Sequence, residues 1–307
     1  LETRSFSRTF GLPDLALLIT AACWGLNFVI TKSAAGDATG QFRIFIYNLI
    51  RFPIASVLLF LIARLRGETL RIPGRYLGAI SALSLVGIFM YQVLYMVGQT
   101  MTDSANIGII YSFSPLLILL ISIGAGIEKP SFFTFAGVLF GVAGLVMIIF
   151  EGGRLSIDVG SLLFLCAVVC WASYSVFGKP VLDRYPPVIT IAWIFLFGSL
   201  YMLPLALYQL PGQEWSAVSG INILYVIVSA LLSLSTGYTL FYYAIAKIGP
   251  AKAGVYTNLT PVFTLIFAAS IRNETIRGIQ LAGLSMIIGG IFITKMNLGL
   301  FRRGTVK

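Results

Sequence analysis

The sequence repeats itself, and the length of the repeat leaves few ways for the chain to fold. Trp24 precedes Lys32 by eight residues near the end of one apolar run, and Trp171 precedes Lys179 by eight in another. Gly108 and Pro115 stand seven apart, as do Gly254 and Pro261, and Glu128, Gly137 and Gly144 recur as Glu274, Gly283 and Gly290. The offset is 147 residues for the first pair and 146 for the rest, a difference of one loop residue. The chain therefore divides into repeats at 1–150 and 151–307, read together as one integrated transmembrane domain. If each copy crosses a membrane an odd number of times, the second is inserted upside down relative to the first. Inverted repeats of this kind build many alternating-access carriers.

Composition favours the membrane. The chain is 58% hydrophobic and only 10% charged, with a mean hydropathy of +0.94; soluble domains are about 25% charged. Ten apolar stretches reach the roughly 20 residues that a span requires: about 14–34, 42–65, 76–98, 103–125, 131–150, 157–179, 187–208, 220–246, 251–271 and 276–297. They are long and continuous, which selects helices over a transmembrane barrel with its short alternating segments. The expected fold is all-α: a polytopic membrane protein of ten transmembrane helices in two inverted five-helix repeats.

The net charge of +10 is a topology signal and not a nucleic-acid footprint. Fifteen of the 21 Lys and Arg fall in the tails and even-numbered loops on the N-terminal side. Five lie on the other side, and Arg51 sits inside span 2. The positive-inside rule then places both termini in the cytoplasm, with the cell inner (plasma) membrane as the expected location. Span 1 belongs to the repeat, so no cleavable signal peptide is expected.

Several chemistries are set aside. Histidine is absent, which removes the commonest general base and metal ligand. Cys23, Cys166 and Cys170 all lie in apolar runs, where free cysteine packs as a small hydrophobe. No phosphate-binding G-x-x-x-x-G-K-[ST] loop occurs. An enzyme, a metal site or a resident cofactor is not expected. All eleven Asp and Glu fall in tails, loops or within a few residues of a span end. A proton-coupled carrier needs a titratable group within the membrane, so facilitated movement down a substrate gradient is expected.

Helical stripes supply the candidate site, since residues at i, i+3, i+4 and i+7 share a face. Span 1 carries Trp24 and Asn27; span 3, Tyr91, Gln92, Tyr95 and Gln99; span 4, Tyr111 and Ser112. Span 6 carries Trp171 and Tyr174; span 8, Tyr238 and Tyr242; span 9, Asn258. Unpaired amides and hydroxyls are costly in hydrocarbon, so these stripes should face protein or water. Each residue taken singly also reads as interhelical packing or an interfacial aromatic; the joint pattern reads as a lined cavity. Rings suit a flat apolar side chain and tolerate an ammonium group. Neutral amides suit a zwitterion, whereas a phosphorylated sugar would call for clustered Lys or Arg.

Other features keep two readings. Pro115 and Pro261 each remove a helix hydrogen bond, giving a static kink or a bend used in gating. Lys32 and Lys179 end equivalent spans, either snorkelling to headgroups or attracting a substrate carboxylate at each mouth. Arg51, deep enough to need a partner, reads as structural or interfacial. The small-residue faces of spans 5 and 10 serve packing within the bundle or a dimer interface; the protein is expected to be a monomer or weak homodimer.

These residues resemble a known family. Cys-Trp-Gly-Leu-Asn at 23–27, Arg-Phe at 51–52, Ser-Pro-Leu at 114–116 and Thr-Pro-Val at 260–262, with Glu274 and a Gly-rich last span, look like the EamA-type members of the drug/metabolite transporter superfamily. The density of Trp and Tyr in the spans looks most like the YddG-type exporters of aromatic amino acids. The resemblance implies ten helices, with spans 1–4 and 6–9 around a central cavity and spans 5 and 10 peripheral. The expected partners are a small-molecule substrate and the lipid bilayer, with no nucleic acid. The expected activity is export of small neutral metabolites, aromatic and hydrophobic amino acids foremost. A broad-specificity drug or lipophilic-cation exporter is the second reading, and a non-transporting membrane scaffold or sensor the third.

Overall fold

The computed structural model describes residues 10–35, 41–102, 110–129, 131–149, 158–272 and 278–295. Gly108 and Glu274, two of the repeat markers, lie outside them. Among these described residues ten helical segments follow one another. α1 is Leu12–Ala34 and α2 is Ile44–Leu65. α3 begins as Gly74–Ser84, widens into a π-helical stretch at Leu85–Met90 and resumes as Tyr91–Thr100. α4 is Ser114–Gly124, preceded by a helical turn at 110–112; α5 is Phe132–Ile149. α6 is Val159–Phe177, followed by the short helix Lys179–Leu182, and α7 is Pro187–Gln209. α8 runs Gly220–Val228, a longer π-helical stretch Ser229–Tyr238, then Thr239–Ile248. α9 runs Pro250–Val255, a 3-10 turn Tyr256–Asn258, then Leu259–Arg272, and α10 is Gly278–Lys295.

Six of these segments are long and apolar enough to cross a membrane, and α4, α5 and α10 contain shorter apolar helices. Large apolar side chains cover the outside: Val57, Leu65, Phe132, Leu162 and Leu200 are all exposed. That is the surface of a protein dissolved in lipid, where a water-facing surface would carry charge.

The two halves interlock with exchangeable partners. α1 packs on α8 and α9 of the second half, and α6 packs on α3 and α4 of the first. α2 pairs with α7, and α5 with α10. Swapping the halves maps this pattern onto itself, as a pseudo-twofold relation requires. The small-residue faces of α5 and α10 turn toward each other inside the monomer. A Cβ on Gly137 would lie 2.5 Å from the Gly290 carbonyl oxygen, and one on Gly144 would lie 2.6 Å from that of Gly283. Those faces pack within the bundle and are not free for a second copy.

The end at which α1 begins is tied across the halves. Asp14, in the first turn of α1, forms an ion pair with Lys295 of α10 and accepts the Tyr256 hydroxyl of α9. The Glu128 carboxylate, beyond α4, accepts the Ala251 N–H at 3.1 Å and so caps the start of α9. Gly249 allows that approach: its φ of +87 is hostile to side chains, and a Cβ there would lie 2.1 Å from Glu128 Oε1. Trp193 Nε1 donates to the Leu70 carbonyl at 3.0 Å, and Arg184 bonds the Tyr76 hydroxyl.

Candidate functional site

Irregular turns decide which polar groups are presented. The π-helical stretches of α3 and α8 occupy repeat-equivalent positions, and π turns concentrate at functional sites. In α8 the hydroxyls of Ser235 and Thr236 donate to carbonyls five residues back, those of Ala230 at 2.8 Å and Leu231 at 3.0 Å. The Ser233 carbonyl accepts the indole N–H of Trp24 at 3.3 Å.

A partly open cavity lies among α1, α2, α3, α4, α6 and α8. Trp24, Asn27, Phe28 and Thr31 line it from the C-terminal half of α1, and Arg51 from the N-terminal part of α2. Tyr91, Gln92, Tyr95 and Met96 come from the last part of α3, and Tyr111 from the turn before α4. Trp171 of α6 and Ser233, Leu234 and Tyr238 of α8 complete the wall. The contributions from α1 to α4 all fall toward the end at which α1 finishes, so the cavity is displaced to that side.

Its floor is aromatic. Trp24 meets Trp171 edge to face at 5.3 Å between ring centres and Tyr238 at 5.4 Å, and Trp171 stacks on Phe241 at 5.5 Å. Tyr91 extends the surface, 5.7 Å from both Trp171 and Tyr95. One wall is polar and held by a chain of hydrogen bonds. Arg51 Nε donates to Asn48 Oδ1 at 2.9 Å and Arg51 Nη1 to Ser229 Oγ at 2.9 Å; Ser229 in turn donates to Asn27 Oδ1 at 2.5 Å. Among the described residues the lining holds one permanent cation, Arg51, and no carboxylate.

Of the expected site residues, the structure brings Trp24, Asn27, Tyr91, Gln92, Tyr95, Tyr111, Trp171 and Tyr238 together. Others stand elsewhere. Tyr174 and Tyr242 lie outside the lining, stacked on each other at 4.9 Å, with the Tyr242 hydroxyl donating to the Tyr174 carbonyl at 3.1 Å. Both are fully buried and form a plug between the aromatic floor and the tied end. Ser112 is buried and does not line the cavity. Asn258 is buried next to α5, where a Cβ on Gly141 would lie 3.2 Å from its Nδ2, and no described side chain of α9 lines the cavity. Lys179 pairs with Asp183 in the next turn, beyond the plug. Pro115 and Pro261 both sit in the first turn of a helical segment after an irregular turn, where the missing N–H costs little. The side chains of Gln99 and Lys32 lie outside the described ones.

Sequence reasoning passed over Arg51 as a cavity residue. The available signal was its isolation: no other Lys or Arg sits so far inside an apolar run. The π-helical residues Ser233 and Leu234 carried no comparable signal, because apolar periodicity does not announce a π turn.

Ten helical segments among the described residues, six of them long and apolar enough to cross a membrane, in two exchangeable halves around such a cavity define a multi-pass membrane protein. The chain belongs to the EamA-like transporter family, whose pattern matches residues 11–150 and again 158–296, once in each half; it is a membrane transporter. It is similar to the uncharacterized transporter YetK of Bacillus subtilis (strain 168), 26% identical over 257 residues that cover 82% of this chain and 78% of that one. It is also similar to a probable terminal-alkyne amino-acid exporter of Streptantibioticus cattleyicolor, 24% identical over 292 residues, covering 94% and 96% of the two chains. A solved crystal structure shares the fold with a TM-score of 0.78 at 21% identity, covering 92% of this chain and 97% of the other.

Proposed function

We propose that the protein exports small neutral metabolites, aromatic and hydrophobic amino acids foremost, by alternating access and without obligatory proton coupling. The observation that carries this reading is the cavity itself: an aromatic floor of Trp24, Trp171 and Tyr238 beside the amides of Asn27 and Gln92, with no carboxylate among the described lining residues. An aromatic side chain gains stacking and dispersion on such a floor, and Asn27 and Gln92 offer hydrogen bonds to the charged ends of a zwitterion. A lipophilic cation finds no counter-charge among the described lining residues and meets Arg51 instead. The similarity to a chain described as an amino-acid exporter supports the same reading.

With the positive side in the cytoplasm, the cavity is displaced toward the outside and the tied end faces the cytoplasm. Rocking of one half against the other would break Asp14–Lys295 and part Tyr76 from Arg184, opening the opposite side. The test is counter-flow uptake into proteoliposomes with amino acids, sugar phosphates and lipophilic cations. Exchange of phenylalanine or tryptophan above the others is expected; preferential exchange of the cations or sugar phosphates would replace this reading.

A further inference from the structure

We propose that the guanidinium of Arg51 anchors a carboxylate of the transported molecule, so that the cavity selects organic acids and zwitterions over the matching amides and amines. The proposal rests on the reading of the cavity as the substrate site and names the group that site selects.

Arg51 is 3% exposed and lines the cavity. Arginine stays charged in proteins and presents five N–H donors in a planar fork. Two are used, one on Nε toward Asn48 and one on Nη1 toward Ser229, and the remaining three have no hydrogen-bond partner among the described residues. No described carboxylate forms an ion pair with Arg51 either. The rings of Tyr47 and Phe52, 4.9 and 5.5 Å from the guanidinium carbon, offer only their faces. A cation within a membrane domain is expensive without a counter-ion and marks substrate pathways. An anion arriving in the cavity would supply that counter-ion, and the open edge of a guanidinium fits a carboxylate in bidentate fashion.

Two further facts point the same way. Asn48 and Ser229 hold the guanidinium from both sides, and Ser229 is itself fixed on Asn27 at 2.5 Å, so the fork is oriented before any ligand arrives. The charge is also one-sided: α7, the repeat counterpart of α2, contains no Lys or Arg. A carboxylate held at Arg51 leaves the aromatic floor for the rest of the molecule, which gives the substrate one orientation in this state.

The experiment measures binding to the purified full-length protein in detergent by ligand-induced thermal stabilisation. The probes are L-phenylalanine, 3-phenylpropionate, L-phenylalaninamide and phenethylamine. The wild type is expected to bind the two carboxylates at least about tenfold more tightly than the amide and the amine. Arg51→Gln should lose that preference, and Arg51→Lys, which keeps the charge and loses the fork, should retain part of it. The matched-ligand comparison on the wild type decides the matter even if both variants fail to fold. If 3-phenylpropionate binds through Arg51 and phenylalanine does not, the anchor stands and the amino-acid reading falls. If acid and amide bind alike, if folded Arg51→Gln keeps its affinity for carboxylates, or if no carboxylate binds, the anchor is overturned.

Discussion

Trp24 and Trp171 are repeat counterparts, and their indoles meet edge to face at 79° across the junction of the two halves. They share a ring contact and differ in a hydrogen bond. Trp24 donates its N–H to the Ser233 carbonyl in the π-helical stretch of α8, whereas the buried N–H of Trp171 has no partner among the described residues. Trp24→Phe should therefore cost more stability than Trp171→Phe, by about the 0.5–1.5 kcal/mol of one hydrogen bond. Both changes remove the same ring volume, so the difference isolates the bond. Melting of the two variants side by side checks this, and equal losses would refute it.

Ring truncation should separate cavity from periphery. Tyr95→Ala and Tyr238→Ala remove faces of the cavity wall, and a ring contact is worth about 0.5–1.5 kcal/mol beyond lost area. Since about 1.4 kcal/mol is tenfold in an equilibrium constant, exchange of phenylalanine should weaken a few-fold to tenfold. Tyr208, 85% exposed on α7, is the control. Counter-flow with Tyr208→Ala should match the wild type; damage equal to that of Tyr95→Ala would dissolve the assignment.

Helix periodicity made much of this site legible and also set its limit. The spans, the repeat and the stripes of α1, α3, α6 and α8 follow from a constant 3.6 residues per turn. Where the turn departs from that value, the stripes mislead. A regular helix through α9 would carry Asn258 on the cavity stripe, but Tyr256–Asn258 is a 3-10 turn. Three residues at 3.0 per turn rotate the chain about 60° further than an α-helix would, and Asn258 ends up beside α5. In α8 the π turns have the opposite sense and bring Ser233 into the cavity. Arg51 was legible as an anomaly but not as a lining residue, because depth along a span does not say which way a side chain faces.

The glycine faces of α5 and α10 should tolerate nothing larger. Gly137→Ala and Gly290→Ala each drive a Cβ to within 2.5–2.6 Å of a backbone carbonyl oxygen. Backbone cannot yield as a flexible side chain can, so overpacking of about 1–3 kcal/mol is expected. Melting temperature should fall for both, while Gly78→Ala, where a Cβ meets nothing within 4 Å, should leave it unchanged or raise it, since alanine favours a helix interior over glycine. A fall in oligomeric state without loss of monomer stability would instead place these faces between copies.

Glu128 gives the tied end a pH dependence with a definite sign. Burial pushes its carboxyl up from the ordinary 4.5, against the opposing pull of the Ala251 N–H and of Lys252 and Lys179. A raised carboxyl pKa means that the folded state holds the proton more tightly than the unfolded chain. The resulting stabilisation is present at low pH and is lost as pH rises through the raised value. Glu128→Gln cannot ionise yet keeps an oxygen for the Ala251 N–H. Wild type and variant should therefore differ in melting temperature by an amount that shifts in favour of the variant as pH rises from about 4 to 8. A pH-independent difference would show that the carboxyl is not perturbed.

Transport should not require a proton gradient. Four of the described acids are committed elsewhere: Asp14 is paired with Lys295, Glu128 caps α9, Asp183 is paired with Lys179, and Asp158 caps α6 by accepting the Ser161 N–H at 2.6 Å. Glu68 and Glu214 lie in loops. None lines the cavity, so no described carboxylate can bind a proton in exchange with substrate. Proteoliposomes loaded with equal phenylalanine on both sides and given a pH gradient should show no net accumulation. Asp14 is the acid to watch, because it is buried within α1 and bridges the halves. Asp14→Asn should loosen the tied end and change the rate of exchange without creating or abolishing a proton requirement. Uphill accumulation in the wild type that disappears in Asp14→Asn would overturn the uncoupled mechanism and make Asp14 the proton site.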